Sequence, residues 1–224
     1  MKRSEINQLM KNAIELFREY KIALPEFLFW SPEVFSTKGE EVREIKDNML
    51  GWDVTDFGSG DFKKIGLFLI TLRNGNQKRS DIYPKPYAEK LMIVGVNQVT
   101  PMHFHKSKME DIINRGGGNL MIKLYNSDEN EGLADTDVTV SIDGVRHTFP
   151  AGEVVRLTPG QSITLTQGLY HRFWGEGDTV IVAEVSMCND DSTDNYFYDK
   201  VGRFPEIEED EEILYYLCNE YPKV

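Results

Sequence analysis

The stretch GVNQVTPMHFHKSKMEDIINRGG, Gly95 to Gly117, decides how this chain is read. It sets His103 and His105 on either side of Phe104 and then places Glu110. In an extended strand, residues two apart point to the same face. The two imidazoles therefore project together while Phe104 packs the other way. Glu110 follows across a bend, from which it can return toward the same point. A second stretch, GQSITLTQGLYHRFWG over Gly160 to Gly175, ends a strand at Gly168 and sets His171 just after it. Three imidazoles and one carboxylate suit a divalent transition metal and leave two positions of an octahedron open. An H-x-H pair alone is weak evidence, because two surface histidines can fall so by chance. The added Glu110 and the distant Gly-x-x-His give the pair its weight.

Outward from these segments the chain has a β rhythm. Ile65–Leu72, Leu91–Val99, Leu120–Tyr125, Val154–Leu157, Ser162–Thr166 and Thr179–Val185 read as strands, with turn residues recurring between them. Val138 to Phe149 reads as a hairpin turning at Asp143-Gly144. This is the pattern of an antiparallel sandwich or barrel. Both ends read as helical. Residues 4 to 20 carry Ile6, Leu9, Met10, Ala13, Phe17 and Tyr20 on one stripe, with Ser4 as a cap. A weaker helical stretch over 31–50 opens at Ser31-Pro32-Glu33 and is interrupted near Gly39. Ile207 to Tyr221 reads as a closing helix that buries Ile213, Leu214 and Leu217. The expectation is one domain: a helical part over 1–60, a β-barrel over 61–188, and an acidic segment with a C-terminal helix over 189–224.

Composition narrows the function. The 224 residues carry 25 cations against 37 acids, a net charge of −12, which disfavours a non-specific nucleic-acid binder. Ten acids lie between Asn189 and Ile213, Asp191 among them, and only Lys200 and Arg203 oppose them. The acidity is therefore local. The two cysteines, Cys188 and Cys218, have no metal-type spacing. No apolar run is long enough to span a bilayer. MKRSEINQ has no apolar core of a secretory signal, so no membrane role and a cytoplasmic location are expected.

The paired motifs resemble those of the cupin superfamily, G-x5-H-x-H-x3-4-E-x6-G and G-x5-P-x-G-x2-H-x3-N. Gly95 stands seven residues before His103 rather than five, Thr166 replaces the proline and Gly175 the asparagine; these positions shape turns. PYAEKLMIV (86–94) and TPMHFHKSKMEDIINRGGGNLMIKLY (100–125) resemble, more specifically, the cupin-type bacterial D-lyxose isomerases. The resemblance implies a mainly β cupin fold, an antiparallel jelly-roll-like barrel with N-terminal helices. It implies Mn²⁺ held by His103, His105, Glu110 and His171, a free sugar as substrate, and a homodimer. The implied reaction interconverts D-lyxose with D-xylulose, and D-mannose with D-fructose. A cupin dioxygenase or other oxidoreductase with the same ligands, and a non-catalytic sugar-binding module, are the alternatives.

Such an isomerisation needs a group that moves a hydrogen between C1 and C2, and donors for the developing oxyanion. Lys108, inside the metal loop, is either such a donor or a solvated lysine like Lys106; the motif favours the donor. Glu184 shares a face with Val180 and Val182. It is either an acid/base whose pKa burial raises, or a structural partner of Arg172 or Arg156. Glu110 is a further possible base. Lys90, Asp194 and Arg203 are placed at the opening as sugar contacts, each against a plain surface role. Phe173 or Trp174 is a candidate for the sugar's apolar face, Phe173 being the one assigned, with core packing the favoured alternative. His147 is expected to be a bystander. Asn126–Gly132 looks like the start of a calcium loop, but its glycine falls one place late. Gly116–Gly118 lacks any phosphate-loop context.

Overall fold

Strand periodicity carries the architecture. The computed structural model describes residues 1–190 and 193–222, so Asp191 lies outside them. Helix α1 (Arg3–Glu19) is followed by two short helices, α2 (Pro32–Ser36) and α3 (Arg43–Asp47). Ser31 caps α2 by accepting from the Val34 amide, and the chain breaks at Gly39 as read. The strands are β1 (Gly51–Thr55), β2 (Leu67–Arg73), β3 (Tyr87–Val94), β4 (His103–His105), β5 (Glu110–Asn126), β6 (Val138–Ile142), β7 (Val145–Phe149), β8 (Val154–Leu157), β9 (Ser162–Leu165), β10 (Leu169–Met187) and β11 (Asn195–Phe197). All pair antiparallel, in the order β1-β2-β3-β10-β5-β9-β6-β7; β4 and β11 pair beside β10, and β8 beside β5. Among the described residues this ladder does not close on itself, so the expected barrel is an open, folded-over sheet.

Two long strands fold the sheet. The 17-residue β5 and the 19-residue β10 run side by side, with register shifts between Glu176 and Val180 and between Ile181 and Val182. The glycine run lies at this irregularity. Gly117 has φ +90°, and a Cβ there would stand 1.9 Å from the Thr179 carbonyl oxygen. Only glycine lets β5 pass the bulge of β10, so the strand read at Leu120–Tyr125 is the second half of a longer one. Alternation then sorts the side chains. Leu67, Leu69, Met92, Val94, Ile112, Val180 and Val182 point into the main core. Their neighbours Phe68, Ile70, Leu91, Ile181 and Ala183 point outward, where Ile6, Met10, Ala13 and Phe17 of α1 cover them. Each such aliphatic or aromatic side chain contributes about 1.5–3 kcal/mol on burial.

Three expectations at the termini change. β1 belongs to the sheet, so the helical part ends near residue 50 rather than 60. Ser4 does not cap α1. Lys2 is the N-cap residue without a side-chain bond, and Asp210 instead accepts from the Ser4 amide (2.9 Å) and hydroxyl (2.8 Å). The closing helix does not form: 207–221 is extended and turning chain. Its acids are drawn onto α1. The Arg3 guanidinium, fully buried, donates to Glu209 and Glu220, and Asn7 donates to Glu211 (2.7 Å). Five consecutive acids in one helix would repel, whereas α1 offers cations, an amide and a positive helix end. Of the three residues expected to be buried, Leu217 is, through a bridge from the extended chain to Trp52, while Ile213 and Leu214 are partly buried.

Candidate active site

The histidines meet because β4 lies against the start of β10. His103 is registered opposite His171, and the alternation within β4 puts His105 on the same side. One ring nitrogen from each of the three lies within 4.8 Å of the others. The His103 Nδ1–H donates to the Pro101 carbonyl (2.8 Å) and the His171 Nδ1–H to the Leu169 carbonyl (3.0 Å). These bonds fix the tautomer and leave Nε2 as a lone pair facing inward. Glu110, the first residue of β5, lies 3.2 Å from His171 Nε2 and 3.4 Å from His105 Nε2. His171 Nε2 is buried with no hydrogen-bond partner among the described residues. Converging lone pairs beside a carboxylate are what a divalent ion satisfies, so the residues present fit the implied metal. Burial and the two neighbouring imidazoles push His103 well below its ordinary pKa, which keeps it neutral and able to ligate.

A second cluster adjoins the first. Strand register places Lys90 of β3 opposite Glu184 of β10. Lys90 Nζ lies 3.1 Å from Glu184, and Lys108 Nζ lies 2.8 Å from Glu184 and 2.7 Å from Glu110. All four are buried. Burial works against both carboxylates, but at Glu110 the Lys108 charge together with the His105 and His171 contacts outweighs it and holds the carboxyl well below the usual range. At Glu184, Lys108 and Lys90 together lower the pKa. Burial also opposes the Lys108 charge, yet Glu110 and Glu184 raise its pKa. The expected upward shift of Glu184 is therefore reversed. Lysines, not Arg172 or Arg156, pair with it: Arg156 binds Glu176, and Arg172 lies over the Trp174 ring.

The structure brings Lys90, His103, His105, Lys108, Glu110, His171, Phe173, Glu184 and Arg203 onto one cleft. Arg203 is held there by Asp53 of β1 (Nη1–Oδ1 3.1 Å). Asp194 is not on the cleft lining. It faces His105 Nδ1 at 3.4 Å and accepts from the Ser107 amide (2.7 Å) and hydroxyl, because the β11 segment is laid along β4. Phe173 is buried and faces both core and cleft. His147 is exposed on β7 and stacks on Phe149, and Asp128 closes its loop by accepting from the Asn130 and Gly132 amides.

Sequence reading missed Thr100, Asn189 and Asp53. Thr100 lines the cleft, and its Oγ1 is buried without a partner among the described residues. Asn189 lines it too and accepts from Lys90 Nζ (2.6 Å). Asp53 carried a readable signal, an acid between Trp52 and Val54 in a strand whose alternation sends it to the opposite face.

The family model for D-lyxose isomerase matches residues 1–221. The chain is 50% identical over 225 residues to a D-lyxose/D-mannose isomerase of Serratia proteamaculans, covering 99% of this chain and 98% of that protein. It is also 50% identical over 228 residues to a D-lyxose/D-mannose isomerase of Escherichia coli O157:H7, with the same coverage. Among solved structures, L-ribose isomerase of Cellulomonas parahominis superposes with a TM-score of 0.60 at 18% identity, covering 93% of this chain and 98% of that one, which speaks for the fold. A match to the family model along nearly the whole chain, and half-identity to proteins of the same length, place this sugar isomerase in the D-lyxose isomerase family.

Proposed function

We propose that this protein interconverts D-lyxose with D-xylulose, and D-mannose with D-fructose, moving a hydrogen between C1 and C2 at a divalent metal held by His103, His105, Glu110 and His171. The observation that carries the reading is the adjacency of two clusters in one cleft: a three-histidine and glutamate set, and an alternating Lys90–Glu184–Lys108–Glu110 chain. When bound, the ion polarises the sugar carbonyl and steadies negative charge on O1 and O2. The protein's own groups do the rest. Glu184 is ionised; it takes the proton from C2 of the aldose and returns it to C1, the reverse for the ketose, while the hydroxyl proton passes from O2 to O1. Lys108 and Lys90 hold it ready and donate to sugar oxygens; drawing them onto the sugar raises the basicity of Glu184 when it is needed. Arg203, fixed by Asp53, and the buried Thr100 hydroxyl bind hydroxyls further along the chain, while Phe173 gives the apolar wall.

The same reading takes Mn²⁺ as the ion, a homodimer as the assembly and the cytoplasm as the location. Among the described residues, no helix is long and apolar enough to cross a membrane. The test is a panel of aldoses and ketoses assayed with Mn²⁺, with and without a chelator, in deuterated water. Conversion of D-lyxose and D-mannose that stops on chelation supports the reading, and solvent deuterium in the product supports proton transfer. No conversion of either sugar in the presence of Mn²⁺ refutes it.

A further inference from the structure

Two of the three histidine rings are held by backbone carbonyls, and the third is held differently. His105 Nδ1 faces Asp194 Oδ2 at 3.4 Å. Both atoms are buried, and among the described residues neither has a hydrogen-bond partner. The other carboxylate oxygen, Oδ1, is fully engaged by the Ser107 amide and hydroxyl. The carboxylate is thus fixed at one oxygen and presents the other to one imidazole nitrogen. Its backbone is fixed as well, since the Lys106 amide donates to the Asp194 carbonyl (3.0 Å), and Asn195 is registered opposite His105.

Charge bookkeeping points the same way. The buried cluster holds Lys90 and Lys108 against Glu110 and Glu184, which balances, and Arg203 is answered by Asp53. A divalent cation added to a balanced cage leaves positive charge without an anion, and burying it so is unfavourable. Asp194 is the additional carboxylate set behind a ligand.

We infer that Asp194 is a positioning residue for His105: its carboxylate orients the ring through Nδ1–H, makes Nε2 a stronger donor and offsets charge when a divalent ion is seated. This rests on the metal reading above. It gives Asp194, placed from sequence at the opening as a sugar contact, a different task at the site. Carboxylates behind ligating histidines strengthen metal binding in this way, and their loss costs about 10–100-fold in affinity.

The test is Mn²⁺ affinity, measured on metal-free full-length protein by competition with a chelating dye. Asp194→Asn keeps the shape and removes the charge. It is expected to bind Mn²⁺ about 10–100-fold more weakly, with the KM for sugar unchanged at saturating Mn²⁺. Ser107→Ala, which frees Oδ1 from one of its two donors, is expected to lose a smaller factor in the same direction, and decides the matter if Asp194→Asn does not fold. Wild-type affinity in both variants overturns the role of Asp194 while leaving the metal site standing. A wild-type protein that fails to bind Mn²⁺ overturns the metal reading and this inference together.

Discussion

Replacing Lys108 by methionine removes the charge that stands between two buried carboxylates while keeping most of the side chain's volume. The Lys108 ammonium lies 2.7 Å from Glu110 and 2.8 Å from Glu184 and is 2% exposed. At an effective dielectric near 20, each contact is worth about 6 kcal/mol of Coulomb energy. Much of this is offset because burying the lysine itself is costly, and losing one partner of a buried pair typically costs about 3–5 kcal/mol. Glu184 keeps Lys90 at 3.1 Å, whereas Glu110 keeps only imidazoles. The unpaired charge therefore falls chiefly on Glu110, which is the proposed metal ligand. Metal-free Lys108→Met is expected to lose about 3–5 kcal/mol of stability, or roughly 6–20 °C in Tm for a domain of this size. Mn²⁺ is expected to restore more stability to the variant than it adds to the wild type, because the ion neutralises the stranded carboxylate. The assay is denaturant unfolding of both proteins with and without Mn²⁺. A metal-free variant as stable as the wild type would refute the reasoning. So would equal Mn²⁺ stabilisation of the two proteins, since the deficit would then lie away from Glu110.

Glu184→Gln is expected to lose about 10²–10⁴-fold in kcat while keeping its Mn²⁺ affinity; unchanged turnover in a steady-state assay assigns the base elsewhere. Thr100→Val removes a buried hydroxyl and keeps its shape, so an unchanged fold and a KM raised about fivefold are expected from one lost hydrogen bond, read from sugar saturation curves. Arg3→Met releases Glu209 and Glu220 and loosens 206–221 on α1, where Ser4 and Asn7 still hold Asp210 and Glu211; limited proteolysis should cut that segment faster than in the wild type. Asp47 accepts from Tyr83, Arg79 and Arg43. The Tyr83 bond, against burial and with the two arginines, holds its carboxyl below the ordinary aspartate range. A lowered folded pKa stabilises at pH values above the unfolded one and is lost as pH falls through the folded value. The stability gap between wild type and Asp47→Asn, measured by thermal unfolding, should thus be full at pH 6 and close below about pH 4.

Much of the fold was legible because strand and hairpin signals are local. Val138–Ile142 and Val145–Phe149 turn at Asp143 and Gly144, both with positive φ, as the Asp-Gly pair required. The pairing of His103, His105, Glu110 and His171 was likewise written in spacing and motif. The closing helix was misread because helical periodicity in Ile213, Leu214 and Leu217 is a local signal, whereas the partners of Glu209, Asp210 and Glu220 on Arg3 and Ser4 lie some two hundred residues away.

The sequence by itself pointed to His103, His105, Glu110 and His171 as one group, and to the β rhythm and the face on which Glu184 lies, because alternation and motif spacing are properties of neighbouring residues. Only the tertiary structure decided what those groups experience. From sequence Glu184 is either a buried acid/base with a raised pKa or a partner of Arg172 or Arg156. The registration of β3 against β10 brings Lys90 beside it, and the loop before β5 returns Lys108 to its other side, so its pKa falls instead. Asp194 moved from the cleft opening to the back of His105 for the same reason: the sign and use of a buried charge are set by what cross-strand pairing places against it.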